Sequence, residues 1–462
     1  MSKSHFSVAI IGAGPAGISA AATLNRYCIE NIVIDDQVGP GGQVYRNILD
    51  NDNDKRNFLG EDYFKGYKLV NQIFNGKIKY QSKSTVWQIT DGKEIALVTD
   101  GKSEIITADY IIIATGAMER PMPIEGWTLP GVMTVGGAQT LLKQSAIAAE
   151  NAVFVGNGPL LYLTAWQYIQ AGVGIIAVLD TTQAKNWRAA IPYAGRALLQ
   201  PAMIKSGYDW LKEIKKNTNF ISDVKNIEII GNGKVTSVQY ETGNGVTGKI
   251  ETNNVFIHQG VIPNINLTMA TGLSHGWNKS TFCWEPETDY SGKSSNDYIY
   301  IAGDAAGIDG SKAALIAGRI VAKEIINRFQ PSRVSKLDLM IERLRYLHIC
   351  SIRPFLNRLY RPSENFRTPK LDKTIVCRCE GVSKSDVIAA LTHRIAGPNQ
   401  LKAFCRAGMG RCQGRYCGLT VQELIATHNN ENMEDTGYFR LRPPVKPITL
   451  AELASLKGSW PD

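Results

Sequence analysis

Strand-length apolar runs alternate with helix-length segments near the N-terminus, and the pattern recurs from about residue 150 to residue 180. Ser7 to Ile11 reads as a buried strand, a helix follows through about Arg26, and Asn31 to Ile34 is a second apolar strand. Ala152 to Val155 begins the same order again, with a helix and then a strand from Ile175 to Leu179 that ends at Asp180. These runs do not alternate apolar with polar, so they predict parallel strands covered on both faces. Tyr110 to Ile113 and Tyr298 to Ala302 are further apolar strands, the latter leading to a helix that starts near Ser311.

The pattern changes after Ile375, where short helical stretches sit between turn residues. Ser383 stands three positions before Asp386, the spacing of a capping box that opens a helix through about His393. Gly397-Pro398 breaks that helix; a second covers Asn399 to Cys405, and Gly408 and Gly410 make a turn before a third from Thr420 to His428. Cys377 and Cys379 are expected in an exposed loop. The divisions expected are residues 1–118 with 256–330, an inserted unit 119–255, a linker 331–371, a module 372–430 and a tail 431–462.

A chain of 462 residues exceeds one compact core and calls for two to four domains. The formal charge of +9 matters less than its placement, because residues 321–376 hold twelve Lys/Arg against five Asp/Glu. That stretch reads as a solvated helical linker or as a docking face for an acidic partner subunit. No recognition motif accompanies the charge, so nucleic acid is not an expected partner. No apolar run reaches the roughly 18–20 residues of a membrane span, and the first strand begins too early to follow a leader. Four of the eight cysteines sit in one cluster, which fits a reducing cytoplasm better than a disulfide scaffold. Cys28, Cys283 and Cys350 are scattered and are expected to be buried and inert.

The first strand runs into Gly12-Ala-Gly14-Pro-Ala16-Gly17 at the start of the helix. Gly12 permits the turn, Gly14 lets a pyrophosphate approach the backbone, and Gly17 allows close helix–strand packing. Asp35 ends the second strand, where a carboxylate accepts hydrogen bonds from an adenosine ribose, and Asp36 follows it. Gly42, Gln43 and Arg46 form a loop expected beside a flavin; Ala114-Thr115-Gly116 and Gly303-Asp304 close two later strands. Together these resemble the FAD-binding pattern of the two-dinucleotide-binding-domain flavoproteins, relatives of thioredoxin and ferredoxin reductases. That likeness implies an α/β, Rossmann-like fold with the second domain inserted in the first. It also implies that Asp304 holds the ribityl chain, where the plainer alternative is a helix N-cap, and that Thr115-Gly116 marks the crossing between domains.

The second glycine loop, Gly156-Asn-Gly158-Pro-Leu-Leu161, places leucine at the third glycine position. A leucine there pushes the helix from the strand and narrows the space for a pyrophosphate, so this unit is expected to be degenerate; if anything binds, Asp180 favours NAD over NADP. The redox Cys-x-x-Cys of thioredoxin reductases is absent, which removes disulfide reduction as the activity. No Ser/His/Asp set is discernible, and His258 is expected as a packed turn histidine.

Cys377, Cys379, Cys412 and Cys417 form two close pairs of the kind a metal or cluster needs. Structural zinc usually takes Cys-x₂₋₄-Cys, so the single-residue gap of the first pair is less typical of it. Cys-x-Cys followed about thirty residues later by a second pair resembles the [2Fe-2S] module of bacterioferritin-associated ferredoxin. Cys405 lies outside both pairs and reads as a packing residue.

The motifs Cys377-Arg-Cys379-Glu, Arg411-Cys412-Gln-Gly-Arg-Tyr-Cys417-Gly, Phe439-Arg-Leu-Arg442-Pro-Pro444 and Gly42-Gln43-Val-Tyr45-Arg46 are similar to the α (A) subunits of heteromeric amino-acid oxidoreductases. That group includes opine oxidases, D-hydroxyproline and L-proline dehydrogenases and hydrogen cyanide synthase. The resemblance implies FAD or another adenine nucleotide in the first site, a [2Fe-2S] cluster on the four cysteines, and an FMN at a subunit interface. It implies an FAD-containing β subunit that carries the substrate site and oxidises a C–N bond, with room for a small third subunit. No catalytic residue is then expected on this chain, whose task would be electron transfer. The alternatives are a self-sufficient NAD(P)H-dependent reductase and a non-catalytic assembly subunit.

Overall fold

The computed structural model describes residues 4–50, 56–74, 78–90 and 92–456. The first sheet has parallel strands in the order Lys79–Gln81, Asn31–Ile34, Ser4–Ile11, Lys102–Ile113, extended by antiparallel Glu94–Thr99 and Ser84–Ile89. Ile299–Ile301 adds in parallel to the last residues of Lys102–Ile113. Residues distant in sequence thus complete one sheet. The first strand feeds two layers, as its continuous apolar character requires: Val8 and Ile10 enter one core, and Phe6, Ala9 and Ile11 enter the other.

Helix Pro15–Arg26 lies against Ser311–Phe329 in the first of these layers. Their contact depends on missing side chains. A Cβ on Gly318 would stand 2.1 Å from the Ala16 carbonyl oxygen, and one on Gly17 would stand 1.9 Å from the Gly12 carbonyl oxygen.

The inserted unit has its own five-stranded parallel sheet, in the order Asn219–Ile221, Ile175–Asp180, Ala152–Asn157, Asn254–Gln259, Val132–Thr134. Beside it lies an antiparallel sheet of Val224–Gly231, Val235–Thr242 and Thr247–Glu251. The chain crosses between units twice, and the two crossings, Ala117–Glu119 and Val261–Pro263, pair with one another. Thr115 and Gly116 stand at this crossing: the Asn264 N–H donates to the Gly116 carbonyl at 3.0 Å.

Linker helices Lys336–Cys350, Arg353–Leu359 and Glu364–Arg367 lead to the C-terminal module. Its first helix is Lys384–Leu391, two residues shorter than expected, and opens with the anticipated capping box between Ser383 and Asp386. Pro398–Cys405 and Gly418–Asn429 complete it. The tail then returns to the first sheet. Val445 N–H donates to the Trp87 carbonyl at 3.0 Å, Lys446 pairs with Asp36, and Ser455 Oγ accepts from Ser103 N–H at 2.7 Å.

Gly318→Ala should force the two helices apart and lower stability by about 1–3 kcal/mol in urea unfolding. Gly207→Ala, in the open on helix Pro201–Asn217, should leave stability unchanged or raise it by about 0.5–1 kcal/mol.

Candidate functional site

The first glycine loop is built from backbone contacts. Gly12 has φ +109°, and a Cβ there would lie 2.4 Å from the Ala114 carbonyl oxygen. Gly41 N–H donates to the Ala13 carbonyl at 2.8 Å, and Gly42 lies so close that a Cβ on it would meet Gly14 Cα at 2.9 Å. The Gly14–Gly17 turn, the Gly41–Gly42 loop and the end of Lys102–Ile113 therefore meet at the strand ends, where α/β sheets bind ligands. Gly303 joins them, with its Cβ position 2.8 Å from the Ala16 side chain.

Asp35 is buried at the end of its strand and accepts from Ala13 N–H and, at 2.7 Å, from Gln37 N–H. Burial raises its carboxyl above the ordinary range, against those two hydrogen bonds. Asp36 is exposed and engaged by Lys446; burial opposes ionisation there, but the lysine wins and its pKa falls. Gln37 receives Arg46 Nη1 at 2.7 Å, which ties the Arg46 turn to the ribose-acid segment. Asp304 Oδ1 accepts from Asp309 N–H at 3.0 Å and Gly310 N–H at 2.9 Å, and burial raises this carboxyl too. It grips the loop before helix Ser311–Phe329, whose N-cap is Gly310, so Asp304 is not itself the cap.

Nothing in the sequence singles out Lys143, yet it braces this site. Its ammonium reaches from helix Val135–Ser145 under the Gly41–Gln43 loop and donates to the Gln43 and Val44 carbonyls at 3.0 and 3.1 Å and to Gln139 Oε1 at 3.0 Å. Burial, and then the Arg46 guanidinium, lowers its pKa to about 7. His258 is not in a turn but in strand Asn254–Gln259, buried, with Nδ1 2.6 Å from Glu119 Oε1. Glu119 Oε2 accepts from Gly136 N–H at 2.8 Å, so this pair fastens the domain crossing to a helix start.

The second glycine loop is covered by this chain's own linker. Tyr360 packs over it, its Cβ 4.0 Å from where a Gly158 side chain would begin, and its ring stands 5.9 Å from that of Tyr162. Asn186 Nδ2 donates to the Leu359 and Arg361 carbonyls at 3.2 Å each, and Gln183 Nε2 donates to Ser363 Oγ at 3.1 Å. Asp180 is buried and accepts from Thr182 N–H at 2.8 Å. Leu161, at the third glycine position, is fully buried in the core with Phe154 and Tyr168.

The four cysteines of the module come together in pairs. Cys377 is not in an exposed loop: it ends strand Ile375–Cys377 and is 1% exposed, whereas Cys379 is exposed. The Cys417 thiol hydrogen-bonds Cys377, and this bond first, with N–H groups of Gly408, Glu380 and Cys379 against burial, lowers the Cys377 thiol to about 6. The same bond, reinforced by burial, holds the Cys417 thiol well up. Cys379 and Cys412 make the second hydrogen-bonded pair, and Cys417 lies within electrostatic reach of both. The thiols are thus matched two by two, and among the described residues no group of three or more His, Cys, Asp or Glu side chains stands in an arrangement that could hold a metal ion. Cys405 lies apart, with its thiol 3.6 Å from the Leu401 carbonyl. Cys283 is buried, Cys350 is partly so, and Cys28 is exposed at φ +56° because it closes the turn after the first helix.

Several contacts join module and nucleotide domain. Trp284 Nε1 donates to Gln422 Oε1 at 3.0 Å, and Arg367 clasps Glu423 with Nε at 2.9 Å and Nη2 at 2.5 Å. Phe282 lies under both guanidiniums, 4.1 Å from Arg367 and 4.5 Å from Arg361.

Residues 6–327 match the pyridine nucleotide-disulphide oxidoreductase family, and residues 371–456 match the sarcosine oxidase A3 domain. The A subunit of opine oxidase from Agrobacterium tumefaciens (strain Ach5) is 39% identical, over 98% of this chain and 92% of its own length. The chain belongs to the family of opine oxidase A subunits. Hydrogen cyanide synthase subunit HcnB of Pseudomonas aeruginosa is 30% identical, over 97% of this chain and 98% of its own. Among solved structures, L-proline dehydrogenase from P. horikoshii shares the fold with TM-score 0.73 at 20% identity, over 98% of this chain and 80% of that one. Membership makes the chain an oxidoreductase with an FAD-type nucleotide domain. No helix among the described residues is long and apolar enough to cross a membrane.

An unfolded lysine keeps its proton to about 10.5, and native Lys143 releases it near 7, so folding expels a proton between those values. Stability should therefore rise with pH across that window, and Lys143→Met should flatten the rise in urea midpoints. With the second loop covered, millimolar NADH or NADPH should leave a bound flavin oxidised in anaerobic absorbance spectra; bleaching within seconds would show that the linker does not block the site.

Proposed function

We propose that this chain is the electron-transfer subunit of a heteromeric flavin-dependent dehydrogenase that oxidises the C–N bond of an opine, proline or hydroxyproline type of substrate. The observation that carries this reading is the convergence of Cys377 with Cys417 and of Cys379 with Cys412, in a chain related along its length to the A subunits of opine oxidases. Substrate oxidation belongs to an FAD-containing β subunit. FMN at the interface between the two chains and a small third subunit complete the reading.

Gly12, Gly14, Ala16 and Gly17 would cradle the pyrophosphate of FAD or another adenine nucleotide, and at Gly12 and Gly17 the backbone leaves no room for a side chain. Asp35 and Asp36 would meet the ribose, Asp304 the ribityl chain, and Gly42, Gln43, Arg46, Ala114, Thr115, Gly116 and Gly303 would line the remainder. Cys377, Cys379, Cys412 and Cys417 would hold a [2Fe-2S] cluster. The donor set is of the right chemistry, four thiols with N–H groups of Gly408, Glu380 and Cys379 directed at one sulfur, and the two thiol pairs would have to close together on the cluster. When bound, a flavin would supply two-electron and one-electron chemistry and a cluster one-electron chemistry, and these residues would hold the two groups. The chain's own residues bind and orient these groups, and Trp284, Arg367 and their partners keep the module docked to the nucleotide domain. Free thiols throughout the described cysteines suit a cytoplasmic setting.

One observation favours an assembly role instead: the thiols pair with each other rather than forming one cage. Anaerobic titration with a substrate-reduced partner separates the readings, since a purely structural chain would accept no electrons. Cys412→Ser should lose most of the iron–sulfur absorbance and iron content while retaining nucleotide, and Cys405→Ser should keep both. Undiminished absorbance in Cys412→Ser would remove that ligand from the set.

A further inference from the structure

Helix Lys336–Cys350 buries Leu339 and Glu342 yet leaves five large apolar side chains exposed. Toward the core it buries Glu342, which Arg319 meets at 3.0 Å and Lys323 at 3.2 Å. Outward it presents Leu337, Met340, Ile341, Leu344 and Leu347, each between 38% and 61% exposed. Their spacing of three and four residues puts them on one stripe. A second apolar bank adjoins the C-terminal end of the helix: Gln200 Nε2 donates to the His348 carbonyl at 2.7 Å, and Ile191, Leu198, Leu199 and Ile204 are exposed around it. The next linker helix, Arg353–Leu359, packs on Ala184–Ala190 and Ala194–Ala197, which holds the two banks in place relative to each other. Contiguous apolar exposure on this scale marks an interaction face.

The rim is mainly basic: residues 184–209 contain Lys185, Arg188, Arg196 and Lys205, all exposed, against one exposed acid, Asp209. On the helix, Lys336 is exposed, Arg345 reaches Glu342 at 3.6 Å, and Asp338 pairs with Lys323 at 2.9 Å. A second copy of this chain would set cations against cations, which costs association. The seam between the banks is itself polar, with Gln200 Nε2 donating to the His348 carbonyl, and suits the mixed surface of a polypeptide better than acyl chains.

We propose that this face docks a protein subunit that carries apolar anchors inside a rim of Asp and Glu. On the function proposed above, on which this inference rests, that subunit is the substrate-oxidising flavoprotein.

The test uses the full tagged chain purified from its own cells with its companion. Carbodiimide joins only touching amines and carboxylates, so Lys336, Lys185 or Lys205 should cross-link to Asp or Glu of a flavin-bearing second chain. Leu344→Glu with Leu347→Glu should recover about tenfold less of that chain, at unchanged melting temperature and nucleotide content. Lys336→Glu with Lys205→Glu, at exposed positions, should weaken recovery in the same direction if the first variant folds poorly. Full recovery by both variants overturns the inference. So do cross-links only between copies of this chain, or wild-type flotation with phosphatidylglycerol vesicles that the leucine variant loses while keeping its companion. If the wild type brings down no flavin-bearing chain, the proposed heteromeric function itself fails and this inference falls with it.

Discussion

The close approaches at Gly12, Gly17, Gly303 and Gly318, where a Cβ would meet Ala114, Gly12 or Ala16, are what the rest of the molecule stands on. They bring the start of the chain against residues three hundred positions later, with the inserted unit lying between them in sequence. Both crossing strands, the Asp304 loop and the first linker helix leave from the neighbourhood of that contact. A side chain at any of the four glycines would move the phosphate cradle and the exits together.

From this base the C-terminal module is tied down at widely separated points. Trp127 Nε1 donates to the Ile375 carbonyl at 2.8 Å from the inserted unit, Trp284 and Arg367 hold the helix that follows Cys417, and the tail reaches the first sheet through Val445 and Lys446. Attachment to both nucleotide units fixes the thiols in space. A fixed distance is what the proposed electron transfer would require and what a loosely tethered module would not supply.

The strands, the glycine loops and the capping box at Ser383 were legible because each follows from a local rule: apolar period, missing Cβ, or an oxygen three residues before an N–H. Membership among heteromeric oxidoreductase subunits was legible in the cysteine motifs. The burial of Cys377, the pairing of His258 with Glu119 and the seat of Lys143 were not, because each is decided by residues more than thirty positions away. The second loop departs from the glycine pattern at Leu161, yet the residue that packs over it is Tyr360, two hundred residues later. Position 360 carries no signature on its own; a tyrosine after a short helix is ordinary until the fold shows what it faces.

Because Leu359–Ser363 is part of the same chain as the loop it covers, it acts as a tethered ligand. Its effective concentration is of the order of millimolar or more. A free dinucleotide would have to outcompete that occupant and also detach the linker clamped by Asn186 and Gln183. The second glycine loop and its neighbours thus seat the linker, and the module beyond it takes its place from that contact.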